Sequence, residues 1–169
     1  MEMVVVISIP GLFVVWVSVN LSGALRRYGF RATAQEFVSA LQTAITAASE
    51  SDRRYEVIID LPQQTYLLRV ITSTDLSEVL DEEIVLEGAF GGKCRAAYVQ
   101  FDDGQSTQQD RAKFRAGHAG WQYGGKIVLL DEEDHAYTVL VHRLNRVVDL
   151  LDGDVDLPMP QDRDAMAFQ

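Results

Sequence analysis

The pattern of apolar and polar positions divides the chain into a helical part and a strand-rich part. From Met3 to Leu25 the sequence carries no charged residue, and roughly 20 apolar residues in a helix are enough to cross a bilayer. Further on, Phe37, Leu41 and Ile45 recur at helical spacing with polar residues between them. The pattern predicts one long N-terminal helix, apolar all round at first and one-sided later, that ends near "ASESDRR".

Beyond that point the apolar period changes from 3.6 to 2, which is typical of strands. The segments "YEVIID" and "TYLLRVIT" predict a hairpin across "LPQQ". Further strands are predicted in "EEIVLEGAF", "KCRAAYVQF", "KIVLLD", "AYTVLVHR" and "RVVDLL", with "DEED" as a tight turn. The segments "DDGQSTQQD" and "RAKFRAGHAGWQYGG" are predicted to be a polar turn and a glycine-rich loop.

One helix followed only by strands predicts an α+β fold. The stripe of Phe37, Leu41 and Ile45 is expected to pack on the apolar face of antiparallel sheets. About seven strands of this length favour two packed sheets, in a β-sandwich-like arrangement, over a single sheet. The predicted organisation is a transmembrane or filament-core helix at 1–25, a globular domain at 26–151 and a flexible acidic tail at 152–169.

The uncharged N-terminal run has three possible explanations. A secretory signal peptide would begin with basic residues and end in a small-residue cleavage site, whereas this run begins at Glu2 and "VSVNLSGAL" is a weak site. A buried core helix is a poor fit, because a Val-rich helix with no polar face needs a larger protein around it. Membrane insertion fits best, through an apolar helix that includes Val4, Val5, Val6, Ile7, Leu12, Phe13, Val14, Val15 and Trp16.

Composition and motifs argue against several functions. The 169 residues carry a formal charge of −10, and phosphate binding depends on clustered Lys and Arg. Only Arg111, Lys113 and Arg115 cluster, so no nucleic-acid partner is expected. The single Cys94 forms no internal disulfide, and no Cys or His spacing indicates a metal site.

The rest of the sequence also gives little indication of a metal-binding or catalytic site. The acidic segment "DGDVD" spaces Asp152, Asp154 and Asp156 as calcium loops do, but it lacks the loop's central glycine and closing glutamate. It is read as a solvated tail. The serine of "FDDGQS" lacks the strand–turn–helix setting of a nucleophile. We therefore predict no catalytic residue, no metal and no cofactor.

The N-terminal segment "EMVVVISIPGLFVVW" resembles the start of type IV pilins and type II secretion pseudopilins, with Glu2 at the family's glutamate and Pro10 replacing a more usual isoleucine. The segment "ATAQEFVSALQTAITAASESDRRYEVIIDLPQQTYLL" is similar to the helix-to-hairpin region of the protein H (FimT-like) minor pseudopilins. "VQFDDGQST" followed by "GGKIVLLDEEDHAYTVLVHRLNRVVDL" resembles their closing pattern, so the resemblance extends to about Leu151.

The resemblance implies a structural subunit rather than an enzyme. Such a subunit waits in the bacterial inner membrane, with its globular domain on the periplasmic side, and then packs by its helix against other pseudopilins. Glu2 would pair with the free amine of a neighbouring subunit and set the axial register. The alternative is a minor type IV pilin acting in pilus assembly, adhesion or DNA uptake. An unrelated membrane-anchored enzyme is a third, weaker alternative.

The family also carries a short basic leader that a prepilin peptidase cuts before Phe-Thr-Leu. Here Met1 stands directly before Glu2, and the nearest cations, Arg26 and Arg27, follow the apolar run. Basic residues next to a membrane span usually stay on the cytoplasmic side, so those cations alone would place the globular domain in the cytoplasm. The expectation is therefore an upstream start, with in-frame codons for basic residues, glycine and Phe-Thr-Leu or a close variant.

Overall fold

The structure, a computed structural model, describes residues 28–73, 76, 79–143 and 145–157. Within these residues, helix α1 covers 28–50 and is followed by strands and one short 3-10 helix. The strands form two antiparallel sheets against which α1 packs. The predicted α+β fold with one helix on two antiparallel sheets is confirmed.

Each sheet contains five strands. The strands are β1 (Arg54–Asp60), β2 (Thr65–Ile71), β3 (Ile84–Ala89), β4 (Cys94–Phe101), β5 (Ser106–Thr107), β6 (Arg111–Gly117), β7 (Gly120–Trp121), β8 (Gly125–Asp131), β9 (Ala136–Val141) and β10 (Val148–Asp152). Sheet A has the order β3-β2-β1-β6-β7 and sheet B the order β10-β9-β8-β4-β5. The 3-10 helix, Asp81–Glu83, precedes β3.

The predicted hairpins are present and their turns are stabilised by side chains. Strands β1 and β2 pair from Arg54–Ile71 to Asp60–Thr65, and the Asp60 carboxylate accepts the Gln63 N–H at 3.0 Å. Strands β8, β9 and β10 form a continuous antiparallel meander. In its first turn, Asp131 Oδ1 accepts the backbone N–H groups two and four residues further on, at 2.8 and 2.9 Å.

The prediction of a loop in "RAKFRAGHAGWQYGG" is wrong. Strand β6 lies inside sheet A, pairs with β1 along most of its length and continues into a short hairpin with β7. Ala112, Phe114 and Ala116 alternate as buried residues along β6. Two of these three are alanines, so the apolar period was too weak to predict a strand. The predicted polar turn before β6 also contains β5.

Strands β3 and β4 follow one another in the sequence but belong to different sheets. Strand β3 is the outer neighbour of β2 in sheet A, whereas β4 pairs with β8 in sheet B. The short link 90–93 therefore passes from one layer to the other. Phe90 lies on this link, is 6% exposed and belongs to the core between the sheets and α1.

Candidate functional site

The apolar stripe of α1 is fully enclosed by the two sheets. Phe37, Leu41 and Ile45 are each 0% exposed. The same face continues with Phe30, Ala34, Ala40, Ala44 and Ala48, all at most 2% exposed. Gln35, Glu36, Ser39 and Thr43 lie on the opposite, exposed face. Helix α1 thus belongs to the globular core and presents a polar face outward.

Phe37 is the centre of the contact between α1 and sheet A. Its ring centroid lies 5.0 Å from that of Tyr66 and 5.1 Å from that of Phe90, both in edge-to-face geometry. Gly88 on the neighbouring strand leaves room for the tyrosine ring, since a Cβ there would lie 2.2 Å from Tyr66 Cζ. The cluster fixes the helix over β2.

Sheet B holds the same helix by a different set of contacts. The ring of Phe30 lies 4.2 Å from that of Tyr137 on β9. Further along α1, Gln42 donates to the Arg146 carbonyl at 2.7 Å and accepts the Val148 N–H at 3.4 Å. Gln42 therefore ties α1 to the start of the edge strand β10. Contacts to both sheets make α1 part of a single packed unit.

The N-terminal residues predicted to drive assembly lie outside the described residues. These are Glu2 and the apolar residues Val4, Val5, Val6, Ile7, Leu12, Phe13, Val14, Val15 and Trp16. Within the described part of the chain, no helix is both long and apolar enough to cross a membrane. The membrane segment, the register role of Glu2 and the domain boundary at residue 25 remain predictions.

A buried cluster of charges lies on the outer face of sheet A. Arg69 is 1% exposed, and its guanidinium contacts Glu56 at 2.6 Å and Glu83 at 3.2 Å. Arg115 donates to the second Glu56 oxygen at 2.7 Å. Arg69 also donates to the carbonyl of Leu76, which follows β2 in the sequence. Removing one partner from such a cluster would leave a buried charge uncompensated.

Glu83 is held in its ionised form by hydrogen bonds from the residues directly after β2. The Thr72 hydroxyl and backbone N–H both donate to its Oε1. These bonds, the hydroxyl first, outweigh burial and lower the pKa of Glu83 from 4.5 to about 2. Glu83 thus binds Arg69 and the residues directly after β2 in its charged form across the neutral and mildly acidic range.

The lowered pKa of Glu83 predicts a loss of stability in acid. A carboxyl with a depressed folded-state pKa stabilises the fold fully above its unfolded value, near 4.5, and loses that contribution as the pH falls through about 2. Urea unfolding of the wild type and Glu83→Gln, in chains beginning at Tyr28, should show the wild type more stable at about pH 6. The difference in the free energy of unfolding between the wild type and Glu83→Gln should shrink as the pH falls towards about 2. A difference that does not change with pH would contradict this role for Glu83.

The first residues of the acidic tail make specific contacts with sheet B. Asp154 accepts from Lys126 Nζ at 2.7 Å and from the Tyr98 hydroxyl at 2.6 Å. The Lys126 ammonium also donates to the Val155 carbonyl at 3.0 Å. Hydrogen bonds from Lys126, then Tyr98, lower the pKa of Asp154. Residues 153–155 therefore turn back over the outer face of sheet B, where Lys126 is only 4% exposed.

Asp154→Asn should loosen this tail. The variant loses an ion pair to a buried ammonium, but Asp154 itself is partly exposed, so the expected cost is about 1–2 kcal/mol. Limited proteolysis should cut after residue 153 faster in Asp154→Asn than in the wild type. Asp156→Asn is the matched control, since Asp156 is an exposed tail carboxylate. Equal cutting of both variants would refute the anchoring role.

A cleft of about 1000 Å³ opens at the end of the domain where α1 finishes. Its walls come from residues 52–54 between α1 and β1, from Ile71, Ser73 and Leu76 at and after the end of β2, from the β6–β7 hairpin and from Arg143 after β9. The Trp121 N–H donates to the Arg143 carbonyl at 3.2 Å, which joins the edge of sheet A to the end of β9. The cleft therefore lies where the two sheets meet.

The described lining of this cleft is basic, whereas the chain as a whole is acidic. In the described part of the chain, the lining carries the arginines Arg53, Arg54, Arg115 and Arg143 and one carboxylate, Asp52. The chain has 25 acidic and 15 basic residues. The sequence alone did not reveal this group of arginines, because they come from three distant segments of the chain. The cluster expected in one loop, Arg111 to Arg115, instead lies on strand β6, where the two arginines pair with Asp60 and Glu56.

The histidines and the tail carboxylates do not gather into a metal site. His135 pairs with Asp152 at 2.7 Å and His142 with Asp149 at 3.3 Å, while His118 lines the cleft. Among the described residues, no three His, Cys, Asp or Glu side chains are placed to hold a metal ion. The serine of "FDDGQS" lies in β5, after a turn at Gly104 with φ of 87°.

Comparison with known proteins identified no relative of this chain. No protein-family model, no curated protein and no solved structure matches this chain.

Proposed function

We propose that this protein is a minor pseudopilin, a structural subunit of the type II secretion pseudopilus that supports protein export across the outer membrane. The observation that supports the proposal is the order of the segments along the chain. An uncharged apolar segment tipped by Glu2 leads directly into a helix whose apolar stripe is buried beneath two antiparallel sheets.

The burial of the stripe bears on the segment before it. Phe37, Leu41 and Ile45 are already covered by the sheets, so α1 needs no further apolar partner. The run from Met3 to Leu25 has no polar face of this kind. A bilayer, and later the packed helices of other subunits, would supply the apolar surroundings that it needs.

In this proposal the protein is a single-pass inner-membrane protein before assembly, with its globular domain on the periplasmic side. A prepilin peptidase would be a further partner if the true start lies upstream. Other pseudopilins would be its partners through helix packing, with Glu2 against a neighbour's terminal amine. A carboxylate at the edge of hydrocarbon is costly unless it is paired, which supports a partner for Glu2.

Deletion and complementation test the proposal. Deleting the gene should reduce export of the substrates of the secretion system, and the full-length protein should restore it. A chain beginning at Tyr28 and directed to the periplasm should not restore export, because it lacks the assembly helix. Full rescue by that shortened chain would show that the apolar segment is dispensable and would sink the proposal.

The alternative is a minor type IV pilin in pilus assembly, adhesion or DNA uptake. The basic cleft supports this alternative, because a subunit that acts in adhesion or DNA uptake at the tip of a fibre needs a ligand site. The same deletion separates the two functions, since a pilin mutant would lose piliation or DNA uptake and keep normal export. Neighbouring genes for a secretin and other pseudopilins would favour secretion, and genes for pilus retraction and competence would favour a pilus.

A further inference from the structure

We infer that the cleft at the end of α1 is a docking site for an acidic segment of a partner protein. The inference goes beyond filament assembly and does not depend on it, because it rests on the cleft alone. Its basis is the group of arginines from three distant segments that the fold brings together in one concave site.

Among the residues that the structure describes, three of these arginines have no counter-ion. Arg53, Arg54 and Arg143 are exposed, and none has an ion pair or side-chain hydrogen bond among the described residues. Arg115 differs, since it is bound to the buried Glu56 at 2.7 Å. In a chain with an excess of acidic residues, exposed arginines could readily find carboxylate partners. Three unpaired guanidinium groups in one cleft therefore indicate a site for an external anion.

The remaining lining favours a peptide over a small inorganic anion. Ile71, Leu76 and Trp121 add apolar surface between the arginines. Trp121 is 3% exposed, and its indole Nε1 has no hydrogen-bond acceptor among the described residues. A peptide with closely spaced carboxylates offers acceptors for the guanidinium groups and aliphatic stems for the apolar surface. A cleft of about 1000 Å³ is far larger than a single phosphate needs.

The overall charge argues against a nucleic acid in the same site. A duplex carries a phosphate charge about every 1.7 Å and continues beyond any one cleft. Its remaining phosphates would meet a chain of net charge −10. Repulsion beyond about 8–10 Å is screened at physiological salt, so a short acidic segment confined to the cleft avoids most of it.

The position of the cleft suits a partner outside the membrane. Residues 52–54 follow α1 after Ser51, and 23 helical residues at 1.5 Å each place them roughly 35 Å along the helix from Tyr28. The cleft is therefore at the opposite end of α1 from Tyr28. A partner bound there would not compete with helix packing.

Binding of a fluorescein-labelled hexaglutamate peptide to the full chain in non-ionic detergent tests the inference. The wild type should bind it saturably and bind a labelled hexaglutamine peptide much more weakly. The variant Arg53→Gln/Arg54→Gln/Arg143→Gln should bind hexaglutamate about tenfold or more weakly, since each exposed ion pair contributes up to about fivefold in affinity.

The matched control is Arg31→Gln/Lys93→Gln/Arg95→Gln, which removes the same charge from exposed positions outside the cleft. It should change the affinity by about twofold or less. If the triple cleft variant does not fold, Arg53→Gln and Arg143→Gln are measured singly, each with an expected loss of about two- to fivefold.

Three results would overturn the inference. The wild type could show no saturable binding of hexaglutamate up to millimolar peptide. The cleft and control variants could lose affinity equally, which would leave only net charge as the cause. A labelled duplex oligonucleotide could bind the wild type more tightly than hexaglutamate and depend on the same arginines, which would assign the cleft to nucleic acid instead.

Discussion

Phe37→Ala should destabilise the globular domain by about 3–5 kcal/mol, the range for truncating a fully buried aromatic residue. Phe37 is 0% exposed and contacts two other aromatic rings at 5.0 and 5.1 Å. Its loss would open a cavity between α1 and sheet A that the rigid strands cannot easily close. Urea unfolding of a chain beginning at Tyr28 would measure the change, and we expect that chain to fold because it contains the whole described core.

Gln35→Ala is the matched control for this experiment. Gln35 lies on the same helix but on its exposed face, so its truncation should change the free energy of unfolding by less than about 0.5 kcal/mol. Similar values for Phe37→Ala and Gln35→Ala would mean that the helix does not dock on the sheets in solution. The assignment of α1 to the core would then be wrong.

Glu2→Leu should block filament incorporation while leaving membrane insertion intact. Replacing a carboxylate with an apolar side chain makes insertion of the segment easier. If Glu2 pairs with a neighbour's terminal amine, its loss leaves that amine unpaired in an apolar setting, at a cost of about 3–5 kcal/mol. A cost of that size shifts an assembly equilibrium by about two orders of magnitude or more.

Co-purification with the other minor subunits, alongside an export assay, measures the effect of Glu2→Leu. Ser8→Leu is a suitable control, because it also replaces a polar residue of the same run with leucine but removes no charge. We expect Ser8→Leu to be incorporated and to support export. Normal incorporation and export for Glu2→Leu would reject the register role and leave Glu2 as a residue at the membrane edge.

The sequence predicted those elements whose apolar period is strong and local. The helix, the β1–β2 hairpin and the β8–β9–β10 meander all have clear periods and polar turns between them. Strand β6 was missed because its buried positions are largely alanine, and the flanking glycines indicated a loop. Its place beside β1 depends on pairing between residues about 55 positions apart, such as Val57 and Phe114, which no local pattern reveals.

The charged residues show a second limit of local patterns. Along β1 and β2, strict alternation places Glu56 and Arg69 on a solvent face, yet both are at most 1% exposed. Their buried partners come from outside the hairpin: Glu83 of the 3-10 helix pairs with Arg69, and the Leu76 carbonyl accepts from it. The basic cleft escaped prediction for a similar reason, since residues 53, 115 and 143 meet only in the folded chain.

The acidic tail was predicted as a flexible, solvated segment, but its first residues have specific partners. Asp154 lies against Lys126 and Tyr98, residues more than 25 positions earlier. Composition alone suggested solvation, because aspartate-rich segments usually lack apolar contacts. The buried lysine on β8 that attracts this carboxylate is visible only once the meander has formed.

Crosslinking through the N-terminal segment tests the central claim most directly. Leu12→Cys places a reactive thiol in the apolar run, and the native thiol should not compete, because Cys94 is 1% exposed and burial raises its pKa to about 12. In cells with an active secretion system, Leu12→Cys should form adducts with cysteines at equivalent positions of other pseudopilins. Glu87→Cys, on the exposed part of β3, should form far fewer. Adducts from Glu87→Cys alone, with none from Leu12→Cys in cells that export normally, would contradict assembly through the N-terminal helix.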